Sequence, residues 1–479
     1  MLNQEAIVII KSSMKRTRIV VFFTVLIVIP AITYFVIQLA RGYRPDLTTR
    51  TLKPTGLLVA QSLPDNAQIL LDGKTVGATN ASLNLSPGNY NVEIKKENFW
   101  PWHKRLTIEK ELVTQTNSLL FPISPTAKQI TPQGLLQFSI SQDKSRIAYI
   151  VPKNSSITPT IPIKGASPSP SLSPDQNTNI STASGIYILE LSDFPFNLNR
   201  DPKPITPTTP TTTAPDWNKA ALTWSPDDRQ LMARVGKDKK CLDFDRIKNP
   251  CTLTSVYLLD PSRTNSQFIN IILTHKQLLK DWEAQRDLRM AQLNQTKIPK
   301  PLSDLFKLHT AKLSFSPDET KILYIATSSA TIPDDVIPPV PASNSQPQER
   351  TLIPGSVYVY DLKEDRNFKL ADLNVPTPTP KNTKSVKNPP KTALQDWSGI
   401  IEASNKSWSW FPTSRHIIEI SGGATSVSEY DATNKVVIDS DPSTLAAVAS
   451  SAGSRLFVIK KQPEGFDLLP SLYSLRLKP

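Results

Sequence analysis

Few side chains in this sequence are placed to do chemistry. The 479 residues include four histidines, His103, His275, His309 and His416, each in a different stretch of chain. A zinc hydrolase helix needs two histidines one turn apart with a glutamate beside them, and no His-Glu-x-x-His run occurs. A serine hydrolase of the α/β type presents its nucleophile on a Gly-x-Ser-x-Gly elbow. No such elbow occurs, and no hydrolase-sized stretch follows Lys460. The two cysteines, Cys241 and Cys251, bracket LDFDRIKNP. With no histidine nearby a zinc site is not expected. A close pair outside the cytoplasm is expected to form a disulfide closing a small loop. Asp243 and Asp245 in that loop would be weak calcium ligands, and a solvated loop is the simpler reading. The adjacent Asp227 and Asp228 are better explained by a turn. The expectation is therefore no enzyme, no catalytic residue, no cofactor and no metal.

The elements around these residues begin with an apolar segment. Residues 19–39, IVVFFTVLIVIPAITYFVIQL, contain no charge. At ~1.5 Å per residue such a helix spans roughly 30 Å of hydrocarbon. Lys11, Lys15, Arg16 and Arg18 precede it, which predicts a cytoplasmic tail (1–18), a transmembrane helix (19–39) and an extracytoplasmic remainder at the plasma membrane. Arg41 and Arg44 weaken that charge asymmetry without cancelling it. A cleaved signal peptide fits less well, because the apolar run exceeds the ~7–15 residues of a signal core and QLARGYRP offers no small-x-small site.

Length and composition predict more than one domain. The 43 prolines and 15 glycines favour stiff, extended connections. The formal charge of +13 would suit an acidic polymer or anionic lipid, but the lysines and arginines are dispersed, as on a solvated surface. No RNA-binding sheet motif, zinc finger or phosphate loop is present, so nucleic acid is not an expected partner.

After a linker (40–55) the pattern becomes short apolar strands and turns. Asp72-Gly73 sits between AQILL and KTVG as a hairpin signal. Pro87-Gly88 precedes NYNVEI, where Tyr90, Val92 and Ile94 share a face at period two. Pro64, Ala67, Asp72, Gly73, Gly77, Pro87, Gly88 and Tyr90 follow the order of the PEGA domain, which residues 56–121 resemble. Asp65 and Asn66 replace the family's Glu and Gly, and Asn tolerates the left-handed turn that Gly would supply. The resemblance implies a small extracellular β-sandwich without catalytic residues. Trp100 and Trp102 are read as closing an edge or docking a neighbour rather than stacking on a ligand.

The remainder, 122–479, repeats a phrase. LTWSPDDRQLMARV (222–235) and LSFSPDETKILYIA (313–326) are near copies, and looser ones occupy 137–151, 407–420 and 446–460. Each reads as strand, tight turn, strand, and a third strand follows from Gly185, Ser255, Ser356, Val427 and Ser471. Pro226 and Pro317 preset the turn, and the acids Asp143, Asp227 and Asp318 can accept from amides just ahead. Such units cannot bury both faces alone, and radial stacking solves that. With Ser225-Pro226-Asp227 and Ser316-Pro317-Asp318, the chain resembles the TolB-type β-propeller. Gln142 replaces proline in the first copy, and Thr413 and Ala452 replace the acid in the last two. The fold class expected is mainly β: an N-terminal transmembrane helix, a PEGA-like sandwich and a divergent propeller of about five blades. Residues 118–131 are expected to supply the outer strand of the last blade. The Pro/Thr/Ser-rich stretches 157–183, 201–215, 330–350 and 375–392 are expected to be disordered or polyproline-like loops. An amphipathic helix is expected over 275–293, with Leu278, Leu279, Trp282, Met290 and Leu293 on one stripe and Leu288 off it. It is read as packing across the propeller face or edge, or acting as a lid or docking helix.

The function expected from these features is that of an envelope-anchored binding or scaffolding protein. Its propeller would meet a protein, peptide or wall polymer. The alternative is a sensor or assembly component working through its transmembrane helix and tail.

Overall fold

The computed structural model describes residues 4–46, 51–131, 134–152, 184–192, 201–207, 215–237, 252–338, 340–341, 344–373, 399–403, 405–461 and 469–478. Cys241, Cys251 and the stretches 157–183 and 375–392 lie outside the described residues. The chain divides into two units. The first comprises 1–97, 101–120 and 340–346, and the second 98–100, 121–339 and 347–479.

In the first unit, helix α1 (Gln4–Ala40) runs through the boundary expected between tail and span. Its apolar window is Val20–Ala40, 21 residues with none of it buried. Thr24 and Thr33 each donate to the carbonyl four residues earlier, at 2.8 Å, which satisfies both hydroxyls without water. The expected linker contains a short ribbon in which Arg44–Asp46 pairs with Thr51–Lys53.

Two small sheets follow. Gly56–Leu63 lies between Ala81–Leu85, antiparallel, and Val113–Leu119, parallel. The other sheet runs Lys74–Ala78, Gln68–Leu71, Gly88–Lys95, Trp102–Ile108. Alternation builds the core. Val92 and Ile94 are buried and Tyr90 half-buried on one face, joined by Leu58, Ile69, Trp102 and Ile108. Asp72 (φ 48°) and Gly73 (φ 81°) form the hairpin turn, and Asn66 (φ 54°) takes the left-handed conformation in the family's glycine position. The Leu63–Pro64 bond is cis. Residues 340–346 of the long 330–350 stretch belong to this unit, where Ser345 and Gln346 side chains donate to the carbonyl of Arg105 at 2.9 and 2.7 Å.

The second unit is a series of antiparallel sheets. The first holds Phe138–Ile140, Arg146–Val151, Gly185–Glu190 and Lys203–Pro204. Ala220–Trp224, Leu231–Gly236 and Leu253–Leu259 form the second, and Thr310–Phe315, Lys321–Ala326, Ser356–Asp361 and Arg366–Asp372 the third. The fourth contains Ile401–Ala403, Lys406–Trp410, His416–Ser421, Ala424–Glu429 and Val436–Asp439. The strand expected from Val427 starts at Ala424, because Gly422 and Gly423, both at positive φ, turn the chain at once. Thr444–Ala449, Arg455–Lys460 and Ser471–Arg476 build the fifth sheet, whose outer strand is Ala127–Gln129 from the start of the unit. Two of the stretches expected to be loops contain strand: Lys203–Pro204 above, and Ala330–Thr331 paired with Thr351–Leu352.

Side-chain alternation sends each sheet's two faces to different neighbours. Ile147, Tyr149 and Val151 pack on Phe457 and Ile459 of the fifth sheet, while Ala148 and Ile150 pack on Leu222 and Trp224 of the second. Leu323 and Ile325 of the third sheet meet Trp408 and Trp410 of the fourth. Strands His416–Ser421 and Ala424–Glu429 in turn touch Thr444–Ala449. The second and third sheets are separated by helices α2 (His275–Lys297) and α3 (Lys300–His309). Met232 and Val256 of the second sheet receive Trp282, Leu278 and Leu279 of α2. Ile322, Tyr324 and Tyr358 of the third receive Leu302 and Phe306 of α3. The expected helix therefore inserts between two sheets instead of crossing a face or edge. Both sheets carry an apolar side there that no third sheet covers.

Two glycines separate steric need from mere family pattern. A Cβ on Gly56 would stand 2.3 Å from the carbonyl oxygen of Glu109, whereas one on Gly77 would meet nothing within 4 Å. Gly56→Ala should lower stability by about 1–3 kcal/mol through overpacking, and Gly77→Ala should stay within about 0.5 kcal/mol. Hydrogen exchange of strand Gly56–Leu63 in the full chain reads both.

Candidate functional site

The repeated turns are built alike. Ser225 Oγ donates to Asp227 Oδ1 at 2.6 Å, the amide of Arg229 reaches the same oxygen at 3.2 Å, and the amide of Gln230 reaches Ser225 Oγ at 2.9 Å. Ser316 and Asp318 repeat this with Thr320 and Lys321, and Ser141 and Asp143 with Ser145 and Arg146. The residue after the acid, or after Thr413 and Ala452 where these replace it, is left-handed in every copy: Lys144, Asp228, Glu319, Ser414 and Gly453 have φ between 55° and 66°. Pro226 and Pro317 supply the fixed φ at the second turn position. The motif residues thus serve the turn, and each sits in its own sheet.

The turns also join neighbouring sheets, a role not read from the sequence. The carboxylate of Asp228 accepts from the amides of Gln142 and Asp143 in the first sheet's turn, at 2.8 and 2.9 Å. Trp224 Nε1 donates to the carbonyl of Ser139 at 3.0 Å, and Arg146 lies over the Trp224 ring at 4.9 Å. Between the third and fourth sheets the amide of Asp318 donates to Ser414 Oγ, and Trp410 Nε1 to the carbonyl of Ser314, both at 3.0 Å. The available signal was the tryptophan just before each of those turns.

Burial and bonding set the carboxylates apart. Ser225 and the Arg229 amide hold Asp227 below the ordinary carboxylate range. Asp143 and Asp318 also lie below it: burial opposes the shift, and their serine and backbone donors outweigh it. Asp228 is raised, because burial outweighs its two amide bonds.

One cavity of about 770 Å³ opens among these turns. The turns of the first three sheets line it, together with Lys312, Leu313 and Phe315 of the third sheet's first strand. Residues 399–402 and Trp410 of the fourth sheet, and Arg286, Arg289, Met290 and Leu293 of α2, complete the wall. Arg286 is 3% exposed, and burial lowers its pKa to about 10 against the opposing pull of Glu283 and Asp287, so it stays cationic at neutral pH. Most of the lining carboxylates are engaged: Asp143, Asp227 and Asp228 as described, and Glu319 with Lys297 at 3.0 Å. Among the described residues no group of three His, Cys, Asp or Glu side chains could hold a metal.

In the first unit the family-motif residues are structural as well. Thr79 Oγ1 accepts from the Ala67 amide at 2.9 Å, Tyr90 Oη donates to the Ser86 carbonyl at 2.9 Å, and Asp72 Oδ1 accepts from the Asn91 amide at 3.0 Å. Trp102 is buried in the sandwich core.

Residues 55–122 match the PEGA domain family. Among solved structures, the chain is similar to a putative TolB from Agrobacterium tumefaciens at 11% identity and TM-score 0.20, covering 71% of this chain and 78% of that one. It is also similar to the Myceliophteria thermophila Cps50 (Swd1) β-propeller domain at 10% identity and TM-score 0.23, covering 74% and 99%. Those scores are too low to transfer function. No curated protein sequence matches. The class defined by these observations is a mainly β protein with an N-terminal apolar helix, a PEGA domain and a series of antiparallel sheets.

The three lowered carboxylates contribute stability that is present above the unfolded carboxylate pKa of ~3.9 and is lost as pH falls through their lower folded values. Asp228, being raised, has the opposite sign: its contribution is complete below that value and fades as pH rises through its folded pKa. A melting-temperature series from pH 7 to acid should show Asp227→Asn and Asp318→Asn flattening the acid limb. Asp228→Ala should cost about 1–3 kcal/mol at neutral pH, from two amides left without their acceptor.

Proposed function

We infer that the chain is a membrane-anchored binding or scaffolding protein of the cell envelope, without catalytic activity. The N-terminus would be cytoplasmic, and the PEGA domain and sheets would stand outside. The observation that carries this reading is the uncharged 21-residue window of α1, none of it buried, ahead of a unit whose polar motifs are spent on turns. The basic cluster before the window favours the cytoplasmic tail. Tethering would hold the sheets in a thin layer at the membrane and raise their effective concentration for partners there. Those partners would be a protein, a peptide or a wall polymer.

A second reading, a sensor or assembly component acting through the helix, is favoured by α1 continuing unbroken from Gln4. A continuous helix can pass a displacement from one side of a membrane to the other, with Pro30 inside it as the point where it can bend.

Crosslinking on intact cells, with the captured partners identified by mass spectrometry, separates the two. Deleting residues 2–15 should leave the partners unchanged under the binding reading and remove them under the sensor reading. Protease added to intact cells should digest the C-terminal unit. Protection of that unit would reverse the proposed topology.

A further inference from the structure

Residues 40–55 are expected as a linker, but the structure has a bonded joint there. Helix α1 closes on a left-handed glycine. The amide of Tyr43 donates to the carbonyl of Gln38 at 3.0 Å, and that of Gly42 (φ 90°) to Leu39 at 3.1 Å, the paired bonds of a capped helix end. The Gly42 carbonyl then accepts from Thr55 Oγ1, and Tyr43 Oη donates to Glu111 Oε1 at 3.0 Å. The Glu111 amide returns to the Thr55 carbonyl, also at 3.0 Å. Thr55 leads directly into strand Gly56–Leu63, and Glu111 lies in the turn before Val113–Leu119. Within three residues of the helix end, the chain is fastened to one end of the sandwich.

That joint sets the depth of the sandwich. The apolar window ends at Ala40 after 21 residues, and at ~1.5 Å per residue it matches the roughly 30 Å of bilayer hydrocarbon. The residues just beyond it therefore stand among lipid headgroups. Because Gly42 and Tyr43 are bonded to Thr55 and Glu111, the turn at 109–112 meets the same layer. The opposite end lies one strand away: Gly88–Lys95 starts beside Ile108, next to that turn, and ends at Lys95, roughly 23 Å further at ~3.3 Å per residue.

The charges at this end suit an anionic surface. Residues 41–55 contain Arg41, Arg44, Arg50 and Lys53 against Asp46 alone. Arg41 and Arg44 are exposed, and neither forms an ion pair with a described residue. In the neighbouring turn Glu109 and Lys110 are exposed and opposite in sign, while Glu111 is taken by Tyr43. A guanidinium presents parallel donors that match two oxygens of one phosphate.

We propose that the joint seats this end of the sandwich on the membrane, with Arg41 and Arg44 receiving the phosphate of an anionic phospholipid. The proposal rests on the anchor reading above and names the partner of the membrane-proximal face.

The test places the photo-crosslinker p-benzoylphenylalanine at Lys110, and separately at Lys95, in the full chain in nanodiscs of equal phosphatidylglycerol and phosphatidylcholine. Irradiation should give lipid adducts at position 110 and none at 95. Phosphatidylglycerol should be captured at least about fivefold more than phosphatidylcholine, the scale of one basic residue beside anionic lipid. Arg41→Gln with Arg44→Gln should bring that ratio to parity without altering the melting temperature. Tyr43→Phe with Thr55→Val opens the joint and should lower the total yield at 110 by about fivefold or more. No adduct at 110, equal yields at 110 and 95, equal capture of the two lipids by the unsubstituted joint, or either double variant behaving as its parent would overturn the proposal. The same crosslinker at Ile27 separates this from the anchor itself. Capture at 27 with none at 110 overturns the seat and leaves the anchor, whereas no capture at 27 removes both.

Discussion

A β-sheet whose strands are apolar on both faces cannot end at water. Strand Lys321–Ala326, KILYIA, is buried at every position, and so is Leu231–Gly236. Alternation forces neighbouring residues of one strand into opposite environments. Every such strand therefore demands two covering partners, and the order of elements in the second unit follows from that demand. The fifth sheet covers one face of the first, and the first covers one face of the second. The third and fourth cover each other, and the fourth meets the fifth. The two helices complete the sequence of contacts by covering the remaining faces of the second and third sheets. Ala127–Gln129, pairing with the last strand of the chain, also protects an edge that would otherwise present unpaired backbone groups.

The turns supply the specificity that face-to-face apolar packing lacks. Hydrophobic contact tolerates sliding, whereas a hydrogen bond between turns fixes register and tilt. The pairing of first with second sheet and of third with fourth is the same device: a tryptophan indole bonded to the neighbour's strand, and a side-chain oxygen accepting from the neighbour's turn. The second and third sheets are parted by α2 and α3. The family-like turn sequence thus carries two functions at adjacent positions. Asp227 and Asp318 close their own loops, while Asp228 and Ser414 reach across.

Much of this was legible from the residues. The period-two runs locate all five hairpins, two of them marked by Pro226 and Pro317, and Asp72-Gly73 marks its turn where the structure has it. The closing strand falls within the expected stretch 118–131, where stacked repeats need the two ends tied together, and is confined there to Ala127–Gln129. Other features had no local signal. Helix α3 was missed because its ten residues, KPLSDLFKLH, carry only Leu302 and Phe306 as buried apolar positions, with Pro301 near the start and Pro299 just before it. Local pattern cannot tell a helix laid over a sheet from one standing between two sheets, since both bury a single stripe. The cavity was invisible for a related reason. Arg286 and Arg289 fall at helical spacing on the same stripe as Trp282, Met290 and Leu293, and what faces them is fixed only once the third and fourth sheets are in place.

The position of α2 ties the packing of the second sheet to the wall of the cavity. Its Trp282, Leu278 and Leu279 hold the second sheet, and later turns of the same helix, with Arg286, Met290 and Leu293, line the cavity. The opposite wall belongs to the third and fourth sheets. Anything that bridges the two walls binds only the arrangement in which α2 and α3 are seated, and by linkage it stabilises that arrangement by RT ln(1 + [L]/Kd), about 2.7 kcal/mol at a hundredfold excess over Kd. The helical insertion is the part of the unit that departs from repetition, and it stands where the apolar sides of the second and third sheets have no sheet to cover them.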